Sequence, residues 1–175
     1  MSTLRIPVTD ADHSMGPATA PVTVVQYGDY QCPYCGEAYP VIARVLKEFP
    51  DQVRFVFRNF PLAEIHPEAV DAAIVAEFAA EKGEFWRAHD LLYENQHELG
   101  LPLYERICAT LGLSMQELRE AAKRPAILDR IRADENGGIR SGVNGTPTFF
   151  INGERLDEGT PALESAVAAA LRTTR

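Results

Sequence analysis

The chain is short of cysteine, of bases and of long apolar stretches, and each shortage removes a class of function. Three cysteines in 175 residues are too few for the disulfide-stapled scaffold of a small secreted domain. No apolar run approaches the roughly 20 residues that cross a bilayer. Residues 1–16 are polar, with Asp10, Asp12 and His13 and no apolar stretch of the kind an export signal carries. The chain therefore reads as cytoplasmic, or as exported if a signal has been removed, and as not inserted in a membrane. Lys and Arg number 17 against 25 Asp and Glu, a net charge of −8, with no cluster of bases. That excludes nucleic acid or an anionic membrane surface as the natural partner. There is no internal repeat and no low-complexity tract. What remains, with 46% hydrophobic residues, is enough apolar material for one substantial core.

Two of the three cysteines stand together in Cys32-Pro33-Tyr34-Cys35, directly after the apolar run from Val22 to Tyr27 and at the start of a helical pattern. A helix N-terminus carries roughly +0.5 elementary charge and several unpaired amide donors, so a thiolate seated there is stabilised and its thiol is not. Pro33 suits the first turn, having no N–H to lose and a φ already near the helical value. Cys35 follows one turn along, beneath Cys32 and within reach of a disulfide. The helix is written in Ala38, Val41, Ile42, Val45, Leu46 and Phe49, spaced by threes and fours, and Pro40 is expected to kink it. A thiolate pKa about two units below ambient pH stabilises the reduced pair by about 2.7 kcal/mol, on the order of 60 mV toward oxidising power. The same spacing also serves as half of a zinc site. The other half is hard to assemble, because Cys108 is the remaining cysteine and His13, His66, His89 and His97 show no paired spacing. Redox chemistry without metal or organic cofactor is the better reading.

Residues 1–20 read as a tail and lead-in, broken by Gly16 and Pro17. The β-branched run Val22-Thr23-Val24-Val25 predicts a strand, and Val53 to Phe57 a second, buried one after the turn at Pro50-Asp51. With the helix between them they make a βαβ unit, parallel and right-handed. From Pro61 the pattern turns helical, over 68–82, 84–98, 102–111 and 114–123; the first three end at Gly83, Gly100 and Gly112, and the last opens on a capping box from Ser114 to Glu117. A further amphipathic segment runs from Pro125 to about Asn136. Strand character returns at Thr148 to Ile151, Asn152-Gly153 predicts a tight hairpin turn into Glu154 to Leu156, and Thr160 and Pro161 cap a last helix over 162–171.

This order of strand, Cys-Pro-Tyr-Cys, proline-containing helix and strand, closed by a Thr146-Pro147 step before a hairpin and terminal helix, resembles the thioredoxin fold. The string from Gly142 to Phe150 carries that likeness, and the long helical stretch between the halves makes the whole resemble the DsbA-like thiol-disulfide oxidoreductases, over about residues 18–172. The resemblance implies an α/β, thioredoxin-like fold, a central mixed β-sheet flanked by helices with an inserted all-helical subdomain: residues 18–62 as the first half, 63–139 as the insertion and 140–175 as the second half. It implies that Pro147 is cis beside the dithiol, that the backbone of Thr146 pairs with an extended substrate segment, that Cys32 is the exposed nucleophile and that Cys35 is the resolving thiol. The substrates would be protein or peptide thiols and disulfides, an unidentified redox partner would recycle the pair, and no cofactor beyond the redox-active disulfide is implied. One position departs from the pattern. Thioredoxin-like proteins commonly carry a buried carboxylate six residues before the nucleophile, and Gln26 stands there; an amide can orient a water or a thiol but cannot accept its proton.

Other residues weigh less. Tyr34 is the best aromatic platform for a polypeptide beside the thiols, with Tyr30 and Phe60 divided between that role and ordinary packing. His66, in the loop Ile65-His66-Pro67, is either a modulator that approaches the thiolate as a cation or, the commoner case, a surface or helix-entry histidine. Glu37 and Asp29 read as solvated surface charges, His89 as a hydrogen-bonded interior histidine and Cys108 as a small core hydrophobe. Two other functions remain open: a glutathione-dependent, glutaredoxin-like reductase, which the long helical insertion disfavours, and a polypeptide-binding, chaperone-like module whose dithiol is incidental. If the amide of Gln26 matters to proton movement, Gln26→Glu will change the pH dependence of the resolving step; superimposable rate profiles for the two proteins would reject it.

Overall fold

The β-branched run beginning at Val22 forms the centre of the sheet. In the computed structural model, which describes residues 2–174, β2 (Val22–Gly28) lies parallel to β3 (Val53–Asn59) on one side and antiparallel to β4 (Thr148–Ile151) on the other. β5 (Glu154–Arg155) pairs with β4, and β1 (His13–Met15) closes the opposite edge antiparallel to β3. The order β1-β3-β2-β4-β5 makes a mixed sheet. Near-continuous burial along β2 and β3 follows from helices covering both faces.

The period-2 alternation of β2 assigns its side chains. Val22 and Val24 join the larger core with Phe55, Phe57 and Phe149, while Val25 and Tyr27 turn to a smaller one with Val56, Phe60, Val143 and Phe150. Gln26 falls on the larger side. There α1 (Pro33–Glu48) buries Cys35, Ala38, Ile42 and Val45, the stripe its spacing predicts. The helix runs past Pro40 to Glu48 as one element, although that proline removes the amide that would bond to the Gly36 carbonyl.

The segment between β3 and β4 holds α2 (Ala69–Glu81), α3 (Phe85–Glu94), α4 (Leu101–Leu111), α5 (Met115–Lys123) and α6 (Pro125–Arg140). α2 is apolar nearly all round and buries every residue from Ala72 to Ala79, which marks it as the central helix of this stretch. The Ser114 hydroxyl accepts the Glu117 amide, as the capping box predicts. α7 (Leu163–Thr173) follows a short 3₁₀ turn over Thr160–Ala162 and packs on α1. Among the described residues no helix is long and apolar enough to cross a membrane.

Three expectations need correction. The lead-in is not wholly irregular, because His13–Met15 takes the free edge of β3; three residues carry no alternation from which a strand could be read. The predicted helix over 84–98 breaks after Glu94 into a 3₁₀ turn at Gln96–Glu98. And α6 does not stop near Asn136. It continues through Gly137 and Gly138 because that face presses against the sheet: a Cβ on Gly138 would meet the Phe60 ring at 2.9 Å and the Tyr27 ring at 3.0 Å, so the glycines that look like breakers are what lets the helix approach.

The edge formed by β1 and β3 is pinned by ionic groups. Arg58, only 3% exposed, donates to both carboxylate oxygens of Asp12 at 2.8 and 3.1 Å, to the carbonyls of Ile6 and Pro7, and to Tyr27 Oη at 2.9 Å. Glu77 of α2 meets His13 Nε2 at 2.8 Å and accepts from Asn59 Nδ2 at 2.9 Å. Removing one partner from a buried pair leaves the other charge uncompensated, so Arg58→Ala should lower the unfolding free energy by about 3–5 kcal/mol in urea titration; a loss below about 1 kcal/mol would show that residues 6–12 hold without it.

Candidate active site

The C-terminal end of β2 delivers the chain to the N-terminus of α1, and the two sulfurs sit at that junction. Cys32 is the N-cap residue, in extended conformation, and Pro33 occupies the first turn. Asp29 shapes the connecting turn. Its carboxylate is 1% exposed and accepts from the amides of Gln31 at 2.8 Å and Leu62 at 2.9 Å, while its carbonyl accepts the Cys32 amide at 3.1 Å. The reading of Asp29 as a solvated charge is therefore wrong: a buried carboxylate saturated with donors ties the dithiol turn to the loop after β3. His66 belongs to the same knot, Nδ1 to Asp29 Oδ2 at 2.7 Å. It makes no hydrogen bond to either sulfur among the described residues, because the nearer anion is the carboxylate.

Gln96, which the sequence gives no reason to single out, closes the other side. Its Nε2 donates to the carbonyls of Tyr30 at 2.8 Å and Cys32 at 2.7 Å, and the space it uses exists because residue 36 is glycine; a Cβ there would run into the Gln96 amide. Thr146 and Pro147 come from the loop before β4, with the peptide bond between them cis, as the resemblance implies. Cys32 Sγ donates to the Thr146 carbonyl at 3.4 Å. Cys32 is only 3% exposed, which corrects the expectation of an exposed nucleophile: in the reduced form its sulfur lies against the Thr146-Pro147 loop. Tyr34 is the exposed neighbour, at 67%.

The two thiols are driven apart in acidity. Cys32 is brought down to about 5, first by the hydrogen bond its sulfur takes from Cys35, against partial burial, and then by the Thr146 side chain and the backbone amides of Cys35 and Tyr34. Cys35, fully buried, is raised well above the usual thiol range, by burial first and then by its bond and charge interaction with Cys32. Near neutral pH the pair is a thiolate resting on a thiol. A thiol with its pKa lowered in the fold stabilises the reduced folded state above the unfolded pKa, and that contribution is lost as pH falls through about 5.

Beneath Cys35 is a cavity of about 260 Å³ between sheet, α1 and α3, lined by Gln26, Tyr39, His89, Asp90 and Tyr93 among others. Gln26 is 1% exposed, and among the described residues neither end of its amide has a hydrogen-bond partner. A second, open groove of about 630 Å³ runs past Tyr34, Val41, Thr146, Pro147 and Pro161. Tyr30 and Phe60 resolve as packing: the Tyr30 hydroxyl meets His89 Nδ1 at 2.9 Å, and Phe60 sits edge-on to Tyr27 in the smaller core. His89 is interior and hydrogen-bonded, Cys108 is 1% exposed within the larger core, and Glu37 is on the surface.

Comparison with known proteins gives the same architecture. A family model described as Thioredoxin matches residues 8–168. Oxidised BdbD from Bacillus subtilis superposes with a TM-score of 0.84 at 21% identity, covering 98% of each chain. The α-DsbA1 of Wolbachia pipientis does so with 0.77 at 19% identity, again over 98% of each. Among curated proteins, the Na(+)/H(+) antiporters NhaA 1 of Salinispora arenicola and NhaA 3 of Salinispora tropica are 44% and 43% identical over 98% of this chain. The chain spans about a quarter of the length of these relatives, 27% in each case.

The rate of Cys32 alkylation by iodoacetamide should titrate with a midpoint near 5, against about 8.5 for a free thiol. Cys35→Ala should move that midpoint upward; one that stays put would assign the acidity to the helix amides alone.

Proposed function

The chain belongs to the thioredoxin family and has the DsbA-like fold, and from that premise we propose that it is a thiol-disulfide oxidoreductase exchanging disulfides with protein substrates through Cys32 and Cys35. The observation that carries this is the seating of the pair, Cys32 at the N-cap of α1 with its sulfur 3.4 Å from the Thr146 carbonyl and Cys35 buried one turn inside the helix, an arrangement that lowers the pKa of the first thiol and raises that of the second.

In this reading the Cys32 thiolate attacks a substrate disulfide, one substrate sulfur leaves with the electron pair, and a Cys32–substrate mixed disulfide remains. Cys35 loses its proton and attacks Cys32 Sγ; the intramolecular disulfide forms and the second substrate sulfur leaves as a thiolate. Run backwards, a substrate thiolate attacks oxidised Cys32 and the substrate is oxidised. The dithiol is itself the redox group, so no cofactor is invoked. A sulfur held two pH units below neutrality stabilises the reduced pair by about 2.7 kcal/mol at pH 7, on the order of 60 mV, which favours the oxidising direction. That poise suits an oxidising compartment better than the cytoplasm, and one structural neighbour, from Salmonella enterica, is described as periplasmic.

The groove past Tyr34, Thr146 and Pro147 is where an extended polypeptide would lie. The Thr146 carbonyl lies 3.4 Å from Cys32 Sγ, and with Cys32 ionised or in a disulfide there is no S–H for it to accept, which leaves it for a backbone amide of the substrate. The antiporter names belong to proteins of which this chain spans 27%. No transport is assigned to it; the reading consistent with the match is that those proteins include a thioredoxin-like module.

Cys35→Ser should trap a mixed disulfide between Cys32 and a disulfide-bonded protein such as insulin, released by dithiothreitol, whereas Cys32→Ser should trap none. Adducts with glutathione alone would favour the glutaredoxin-like alternative. Polypeptide binding that survives Cys32→Ser, with no insulin reduction by the unaltered protein, would favour the chaperone-like one.

A further inference from the structure

The wall of the cavity under Cys35 carries unpaired polar groups: both ends of the Gln26 amide and the Tyr93 hydroxyl have no hydrogen-bond partner among the described residues. A buried amide left unpaired costs a few kcal/mol, and an occupied volume of about 30 Å³ per water lets several waters fit a space of this size. The accessible lining of this cavity of about 260 Å³ is mainly apolar, and the Gln26 amide and Tyr93 hydroxyl are the unpaired polar groups in its wall that water held there would meet. We propose that water in this cavity carries the proton of Cys35 to and from Asp90, making Asp90 the proton acceptor that the amide at position 26 cannot be. This rests on the dithiol reading above.

Elimination among the lining groups points to Asp90. Gln26 can donate and accept hydrogen bonds and so orient water, but it cannot hold the proton. Tyr93 is buried and its phenol is raised well above the usual range, by burial first. His89 has Nδ1 engaged with Tyr30 and is held neutral down to about 3, chiefly by burial and then by His13. Asp90 alone among them is a carboxylate that also reaches solvent, being half-buried. Burial is the main influence raising its pKa, opposed by the hydrogen bond that Tyr39 Oη donates to Oδ1 at 2.8 Å and reinforced by Glu94, so it is a better base than a free carboxylate. The titratable groups that line the same cavity are Tyr39 and Cys35 of α1 and His89 and Tyr93 of its own helix, and Glu94 shares the Tyr39 hydroxyl with Asp90; Arg87 pairs instead with Glu84.

The step balances. Cys35 Sγ–H gives its proton to a cavity water, which passes one to Asp90. The Cys35 thiolate forms the bond to Cys32 Sγ, the Cys32–substrate bond breaks, and its electron pair leaves on the substrate sulfur. The proton then exits to solvent from Asp90. In the oxidising direction Cys35 departs as a thiolate and recovers its proton by the same route.

Stopped-flow measurement with a self-quenched peptide disulfide separates formation of the Cys32 mixed disulfide from release of the second thiol. In Asp90→Asn the release phase should slow by about tenfold or more between pH 6 and 8 and lose its carboxylate inflection, while the alkylation rate and midpoint of Cys32 stay as in the parent. Gln26→Glu added to Asp90→Asn should restore the release rate, since it returns a carboxylate to the same cavity. If Asp90→Asn does not fold, Gln26→Leu, which removes the water-orienting amide and leaves Asp90 in place, should slow the same phase. Parental release rates and pH profile in whichever variant folds would overturn the role of Asp90. A protein that forms no mixed disulfide even as Cys35→Ser would instead overturn the dithiol reading.

Discussion

The hydrogen bond from the Cys35 thiol to the Cys32 sulfur operates only while the two residues are held one turn apart, one at the mouth of α1 and the other inside it. Cys35 remains protonated because it is buried, and Cys32 ionises because that buried proton points at it. Each pKa shift is thus a cause of the other. Exposing Cys35 would let both sulfurs drift back toward ordinary thiols, so burial under the larger core is a chemical requirement as much as a packing one.

The surroundings keep that spacing from relaxing. On one side the buried Asp29 carboxylate binds the amides of Gln31 and Leu62 and the His66 ring, joining the dithiol turn to the chain after β3. On the other, Gln96 reaches across from beyond α3 to hold the carbonyls of Tyr30 and Cys32. These bonds act on backbone, so they fix the position of the turn without consuming the lone pairs of the sulfur. The helical segment between β3 and β4 therefore serves the site from a distance, since it supplies Gln96 and most of the α3 wall of the cavity.

The dithiol, its place at a strand-to-helix junction and the helices that follow were legible because each is written locally: β-branched runs, apolar residues at threes and fours, Ser114 three residues before Glu117. The misreadings share a different origin. Asp29 looked like a surface charge because nothing near position 29 announces the amide of Leu62 or the ring of His66, which meet it only after β3 has paired with β2. His66 was free to be matched to a thiolate because its carboxylate partner was hidden for the same reason. The amphipathic segment from Pro125 reads as ending near Asn136 because Ile6, against which residue 137 must be small, and the rings of Tyr27 and Phe60, against which residue 138 must be, come from distant parts of the chain. Gln96 had no local signature at all. Departure from a family pattern was legible in one case, Gln26, where a residue of the wrong chemistry stands at a chemically loaded position.

Two buried polar systems in this chain differ in a way that separates holding from reacting. Around Arg58 the guanidinium is met by carboxylate, carbonyl and hydroxyl acceptors; such a network rigidifies, and its protonation is fixed far from neutrality. Around Gln26 the amide lies at 1% exposure with neither end matched among the described residues, in the wall of the cavity that Cys35 also lines. A core under selection for stability alone would close that site with an apolar side chain, since an unmatched buried amide is a net cost. An amide that borders a wet cavity instead keeps the resolving sulfur in contact with mobile protons while placing no charge beneath it. A carboxylate anion at position 26 would raise the pKa of Cys35 further, and would work against the ionised Cys32 above it. With the acid at Asp90, a half-buried residue in the cavity wall, a proton acceptor stays within reach and no charge is placed beneath the pair.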